Sequence, residues 1–142
     1  MLRGINVLIL LALFSYGSTE FSRLSEVVGL VGTNGCNLCS IYATICGGPD
    51  GVICCKTNKL DNPNHDDWNS GSTNTFSGTI LGQCNEFGVE NAEVPKMIVE
   101  HQGSDALIVN FWKLKFSDGK EVVCPDGHEL DNDQYIELND CK

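Results

Sequence analysis

Apolar positions change their rhythm twice along this chain. From Ile5 to Phe14 they are nearly continuous. Between residues 20 and 46 they recur at intervals of three and four: Leu24, Val27, Val28 and Val31, then Leu38, Ile41, Tyr42 and Ile45. Such spacing puts side chains on one face of a helix. It predicts a short helix over 20–32, capped by Ser22 and weakened by Gly29, with a disordered mature N-terminus as the alternative, and a second helix over 37–46. Gly47-Gly48-Pro49 would end the second, glycine taking the left-handed cap and proline blocking a further turn.

Beyond these stretches the period shortens to two. A turn at Pro49-Asp50-Gly51 leads into a strand over 52–55. Residues 57–75 are polar, rich in Asn and Asp, and read as a long loop in which Trp68 is a plug over the core. Strands follow at 76–81, 94–101 and 106–116. In the last, Ile108, Trp112, Leu114 and Phe116 are assigned to one face, with Lys113 and Lys115 marking the other as solvent. Ser117-Asp118-Gly119 is a hairpin turn, residues 120–124 return, Pro125-Asp126-Gly127 turns again, and 135–138 is the last strand.

The run Phe111-Trp112-Lys113-Leu114-Lys115-Phe116, followed by Asp118-Gly119 and a return strand through Cys124, resembles the end of a PLAT-type sandwich. Modules of that type bind lipids or partner proteins. The cysteine-rich first half has no counterpart there, and no site residue is carried over.

The apolar run at the start is too short for a bilayer core of ~30 Å, which takes roughly 20 residues. With Arg3 before it and small residues after it, it reads as a secretory signal peptide over 1–19, cleaved after Gly17 or Thr19. The expected organisation is then a cysteine-rich segment over 20–56, a polar loop or linker over 57–75, and a β-rich module over 76–142. The product is expected to be secreted and extracellular, without a transmembrane anchor.

Export changes the meaning of the eight cysteines, because disulfides persist in that compartment. Cys36, Cys39, Cys46, Cys54 and Cys55 form one group; Cys84, Cys124 and Cys141 form another. Both groups are odd in number. If all eight pair within the chain, at least one bridge must join the two groups. Adjacent Cys54 and Cys55 are poor partners for each other and should pin different elements. Cys36-Asn-Leu-Cys39 could be a redox motif or half of a zinc site with Cys54 and Cys55. It lacks the βαβ context of the first, and a vicinal pair makes a poor second knuckle for the other, so structural bridging is expected. The expected fold is a small, disulfide-rich, mainly β protein. Its short helical, cysteine-rich N-terminal segment is clamped by at least one disulfide to a C-terminal antiparallel sheet or small sandwich.

Charge narrows the partners. The formal net charge is −10, and loss of Arg3 with the signal makes it −11. Nucleic acid and anionic membranes need clustered Lys and Arg, so neither is expected. An extracellular protein, calcium or a mineral surface suits the charge better. Calcium takes six to eight oxygen ligands. Asp126, Glu129, Asp131 and Asp133 are the candidate ligands, with Asn132 and Glu137 nearby; Asp61, Asn64, Asp66 and Asp67 form a second acidic patch.

Catalytic signatures do not emerge. His65, His101 and His128 have no evident nucleophile beside them, and neither a nucleophile elbow nor a metalloprotease motif is present. The expectation is a secreted, non-enzymatic, acidic binding or matrix protein, associated with calcium or mineral. A cysteine-rich toxin or defence effector acting on a protein target is the alternative.

Overall fold

The computed structural model describes residues 21–142; the expected signal peptide lies outside the described residues. The elements are β1 (Phe21–Val31), β2 (Cys39–Gly47), β3 (Ile53–Lys56), β4 (Thr73–Ser77), a 3-10 turn (Gly78–Cys84), β5 (Gly88–Glu90), β6 (Lys96–Gly103), β7 (Leu107–Phe116), β8 (Glu121–Pro125), β9 (Glu129–Leu130) and β10 (Tyr135–Leu138). They form two antiparallel sheets. One runs β4-β1-β7-β8, with β5 added to β1 and β9 to β7; the other runs β10-β6-β2-β3. The mainly β, disulfide-rich expectation holds.

The helical N-terminal segment does not. Within 20–32, residues 21–31 are strand β1, and 37–46 contributes most of β2. The reason in β1 is a bulge. Leu24 pairs with Phe116 and Glu26 with Lys115, so Ser25 is an extra residue on β1. A bulge shifts the alternation by one. Leu24 and Val27 therefore both face inward, three residues apart, and Val31 follows in phase, which imitates a helical stripe. In β2 the inward residues are Ile41, Ala43 and Ile45, at alternate positions and fully buried. Ile41 and Ile45 are four apart and satisfy either period; small Ala43 is the discriminating position. β-Branched Ile41, Thr44 and Ile45 and aromatic Tyr42 suit a pleated surface better than a helix.

A second bulge corrects β7. Leu30 pairs with Phe111 and Val31 with Val109, leaving Asn110 unpaired. Trp112, Leu114 and Phe116 do point into the core, but Ile108 does not; Leu107 and Val109 take the inward positions before the bulge. The run from Phe76 is shorter than a strand over 76–81, since β4 ends at Ser77 and the chain enters the 3-10 turn.

Both sheets contribute to one core. Leu24, Val27, Phe76, Trp112 and Leu114 from the first meet Ile41, Ala43, Ile45, Met97 and Val99 from the second. Burying a side chain of this kind contributes roughly 1.5–3 kcal/mol. Gly29, expected to weaken a helix, instead makes room: a Cβ there would lie 3.1 Å from both the Trp68 and Trp112 rings.

The disulfides are Cys36–Cys39, Cys46–Cys54, Cys55–Cys84 and Cys124–Cys141. Cys55–Cys84 is the bridge between the two cysteine groups that the odd counts require. Adjacent Cys54 and Cys55 indeed pin different elements, Cys54 closing the β2–β3 hairpin and Cys55 reaching the 3-10 turn. Four bridges suit an oxidising, extracellular environment. Among the described residues no helix is long and apolar enough to cross a membrane.

Candidate functional site

The strand directions put the two acidic patches at the same end of the molecule. β1 ends there at Val31, β2 begins there at Cys39, and β7 begins there at Leu107, which pairs with Leu130 of β9. Backbone hydrogen bonds tie the loops together. Gly32 N donates to Ile108 O at 2.8 Å, Gly71 N to Gly32 O at 2.8 Å, and Cys36 N to Trp68 O at 2.8 Å. The stretches 32–38, 57–72, 103–106 and 126–134 therefore form one loop end.

Leu60 and Trp68 anchor the polar loop. Leu60 is fully buried and its N–H donates to Ile41 O at 2.8 Å. Trp68 is a core plug, as its position in the sequence suggested. Its ring stacks on Phe76 at 5.3 Å between centroids, lies 5.6 Å from Trp112, and donates from Nε1 to Leu60 O at 3.2 Å. The backbone at Trp68 is left-handed, with φ of 68°, a conformation uncommon outside glycine, asparagine and aspartate. These contacts hold it there.

Two carboxylates at this end are buried and already engaged. Asp67 accepts from Asn62 N at 2.6 Å and from Asn62 Nδ2 at 3.1 Å, and lies 3.0 Å from His65 Nδ1. Asp126 accepts from Trp112 Nε1 through one oxygen at 3.0 Å, and through the other from His128 N at 3.0 Å. Both side chains are only 2% exposed, whereas the His65 and His128 rings stand largely in solvent. Asp126 thus satisfies a buried indole N–H and closes a turn.

The other candidate ligands have different surroundings. Glu129 is exposed on β9. Asp133 Oδ1 accepts from Gly103 N at 3.0 Å, and Asp131 N donates to Gln134 Oε1 at 3.0 Å. Asp131 Oδ1 is the one oxygen of the set that is buried without any hydrogen-bond partner. Asn132 and Asp133, both with positive φ, shape this turn. Glu137 lies away from the loop end and pairs with Lys96 at 3.4 Å. In the second patch Asp61 pairs with Lys59 at 3.4 Å, Asn64 has a positive φ, and the Asp66 carbonyl accepts from Asn69 Nδ2 at 3.1 Å. Apart from Glu137, the acidic groups share an end without converging on one point.

Sequence reasoning missed a different convergence. A ring nitrogen of His101 and the sulfurs of Cys36 and Cys39 lie within 4.8 Å of one another. His101 is 1% exposed. Its Nε2 is 2.6 Å from Asp105 O, while its Nδ1 is buried and unpartnered. Asp105 Oδ2 in turn accepts from Asn37 N at 2.9 Å. No local spacing connects residue 101 with residue 36; pairing of β2 with β6, Ile41 opposite His101, brings them together.

No family model matches the chain, and no curated protein matches it. Solved structures do. Coral 8R-lipoxygenase, described as activated by calcium via a C2-like domain, superposes with a TM-score of 0.59 at 17% identity, over 82% of this chain and 16% of that one. The α-toxin of Clostridium absonum superposes with a TM-score of 0.61 at 14% identity, over 86% of this chain and 33% of that one. An α-toxin from an avian strain of Clostridium perfringens gives 0.52 at 17% identity, over 82% of this chain and 31% of that one. This chain spans a third or less of each of these proteins, and the likeness is one of fold.

Proposed function

We propose that this chain is a secreted, non-enzymatic binding module that presents its acidic loop end to an extracellular partner, with calcium or a mineral surface engaged at that end. The observation that carries the reading is the meeting of two acidic stretches, around Asp61–Asp67 and Asp126–Asp133, at one end of a β-sandwich. The described calcium activation of the coral lipoxygenase through a C2-like domain supports calcium as the ion. Exposed Leu38 and Tyr135 beside the acidic loops, 75% and 71% accessible, offer apolar contact to a protein partner.

The residues fit calcium in part. Asp131, with its buried unpartnered oxygen, and Asp133 in the same turn are the ligands this reading favours. Asp126 is held by Trp112 and His128 and contributes to the shape of the loop. Calcium bound here would crosslink the 131–134 turn and offset part of the negative charge.

Calorimetric calcium titration of the oxidised protein, paired with thermal unfolding, tests this. Saturable binding with a rise in melting temperature is expected, and the double substitution Asp131→Asn with Asp133→Asn should abolish that rise. An unchanged rise removes the turn from the proposal; no binding at millimolar calcium removes the ion and leaves the protein partner. The alternative, a secreted toxin or defence effector, draws support from the fold likeness to the two α-toxins.

A further inference from the structure

We infer that Cys36, Cys39 and His101 form a zinc site when the Cys36–Cys39 bridge is reduced. One ring nitrogen of His101 lies within 4.8 Å of both sulfurs, which the bridge itself holds together. Zinc takes tetrahedral Cys and His ligands at about 2.0–2.3 Å, so modest side-chain rotations would bring both sulfurs and one nitrogen onto a common ion.

The state of His101 points to a ligand. A carbonyl can only accept, so the 2.6 Å contact with Asp105 O requires the proton on Nε2. In the neutral ring Nδ1 then carries the lone pair, and this atom is buried with no partner. Metal-ligating histidines usually donate their other N–H to a carbonyl or carboxylate, which fixes the tautomer and orients the ring. Asp105 supplies that support here, and is itself tied to Asn37, between the two cysteines, by its carboxylate. Buried polar atoms without partners are few in folded proteins and call for an explanation.

The cation has a route in. A polar cleft at the acidic end is lined by Cys36 and Cys39 together with Asp61, His65, Asp66 and Asp67, the three carboxylates outnumbering the one cation there, Lys59. Its carboxylates attract a divalent ion, and solvent from the cleft can fill a fourth coordination position.

This bridge is also the one whose loss relaxes the chain least. It closes a separation of 3 residues, against 8, 17 and 29 for the others. The constraint a disulfide places on the unfolded chain grows with the loop it closes. Opening it takes two electrons from a dithiol reductant: the Cys36–Cys39 S–S bond breaks, the reductant becomes its own disulfide, and its two protons pass to the cysteine sulfurs. Zinc then displaces those protons as the thiolates bind.

The oxidised, disulfide-bonded protein is treated with a graded dithiol, and the opened thiols are located by alkylation and peptide mass spectrometry. Cobalt(II) is then titrated, with thiolate-to-cobalt charge-transfer absorption as readout and zinc as competitor. Expected are opening of Cys36–Cys39 ahead of the other bridges, one ion per chain, and protection of both thiols from alkylation by zinc. His101→Gln should weaken binding at least tenfold. Because His101 is in the core, Cys39→Ser, at a partly exposed position, provides a second variant with the same expected loss. Another bridge opening first, equal alkylation rates with and without zinc, or unchanged affinity in Cys39→Ser would overturn the inference.

Discussion

The Trp112 indole donates to Asp126 across a 3.0 Å hydrogen bond, and both side chains are shut away from water. This contact links the middle of the central strand to the turn after β8. It joins the core to the loop end, because Asp126 also receives the His128 N–H.

Truncating Asp126 to alanine should leave the indole N–H buried without an acceptor. A group so stranded costs about 1–3 kcal/mol. Urea unfolding of Asp126→Ala is expected to show a loss of that size, and Trp112→Phe should cost less in that background than in the unsubstituted protein. Full additivity of the two substitutions would mean that the hydrogen bond contributes nothing.

Acid stability has an identifiable source at the opposite end. Ser22 Oγ donates to Asp118 Oδ2 at 2.6 Å, and this bond, ahead of the backbone N–H and the charge of Lys120, lowers the pKa of the Asp118 carboxyl from its ordinary value. A carboxylate whose pKa is lowered by folding adds stability that is present above its unfolded pKa. That stability is lost as the pH falls through the folded pKa. Ser22→Ala should therefore move the Asp118 carboxyl carbon titration, followed by NMR, to higher pH. An unmoved titration would assign the shift to Lys120 and the backbone N–H of Asp118 itself.

Gly29 is a packing prediction. A methyl group there would sit 3.1 Å from two buried tryptophan rings that already pack on each other, Trp68 packing on Phe76 as well. Overpacking of this kind typically costs about 1–3 kcal/mol. Gly29→Ala should lower the melting temperature and alter the near-ultraviolet dichroism of Trp68 and Trp112; an unperturbed spectrum would show that the rings have room to yield.

The disulfides should rank by the loops they close. Replacing Cys55 and Cys84 together with alanine removes a bridge of separation 29 and should cost about 3 kcal/mol or more in the chain-entropy account, whereas replacing Cys36 and Cys39 should cost clearly less. Denaturant midpoints of the two double variants make the comparison, and the reverse order would put native-state packing around Cys36 above chain entropy.

Much of the C-terminal half was legible because its strands announce themselves locally. Tyr135–Leu138 was expected and is β10, and the Ser117-Asp118-Gly119 turn joins β7 to β8. The cross-linking of the two cysteine groups followed from parity alone. The first half was misread because two different periods coincide on short runs. A bulge at Ser25 makes a strand look helical over Leu24, Val27 and Val31, and Ile41 with Ile45 fits either period. A bulge is a property of the pair of strands, since it exists only where two residues face one on the partner.

The candidate residues divide in the same way. Their acidity, and the oxidising chemistry suited to eight cysteines, are properties of composition and were decided by the sequence. Which carboxylate is free was not. Asp126 and Asp131 are alike as letters, yet one serves a buried indole and the other keeps an unpartnered oxygen. His101 came to Cys36 and Cys39 only through the pairing of β2 with β6. Side-chain type and local period are carried by neighbours along the chain. Hydrogen-bond partners and burial are set by strands that meet from far apart in it, so the tertiary structure alone could assign them.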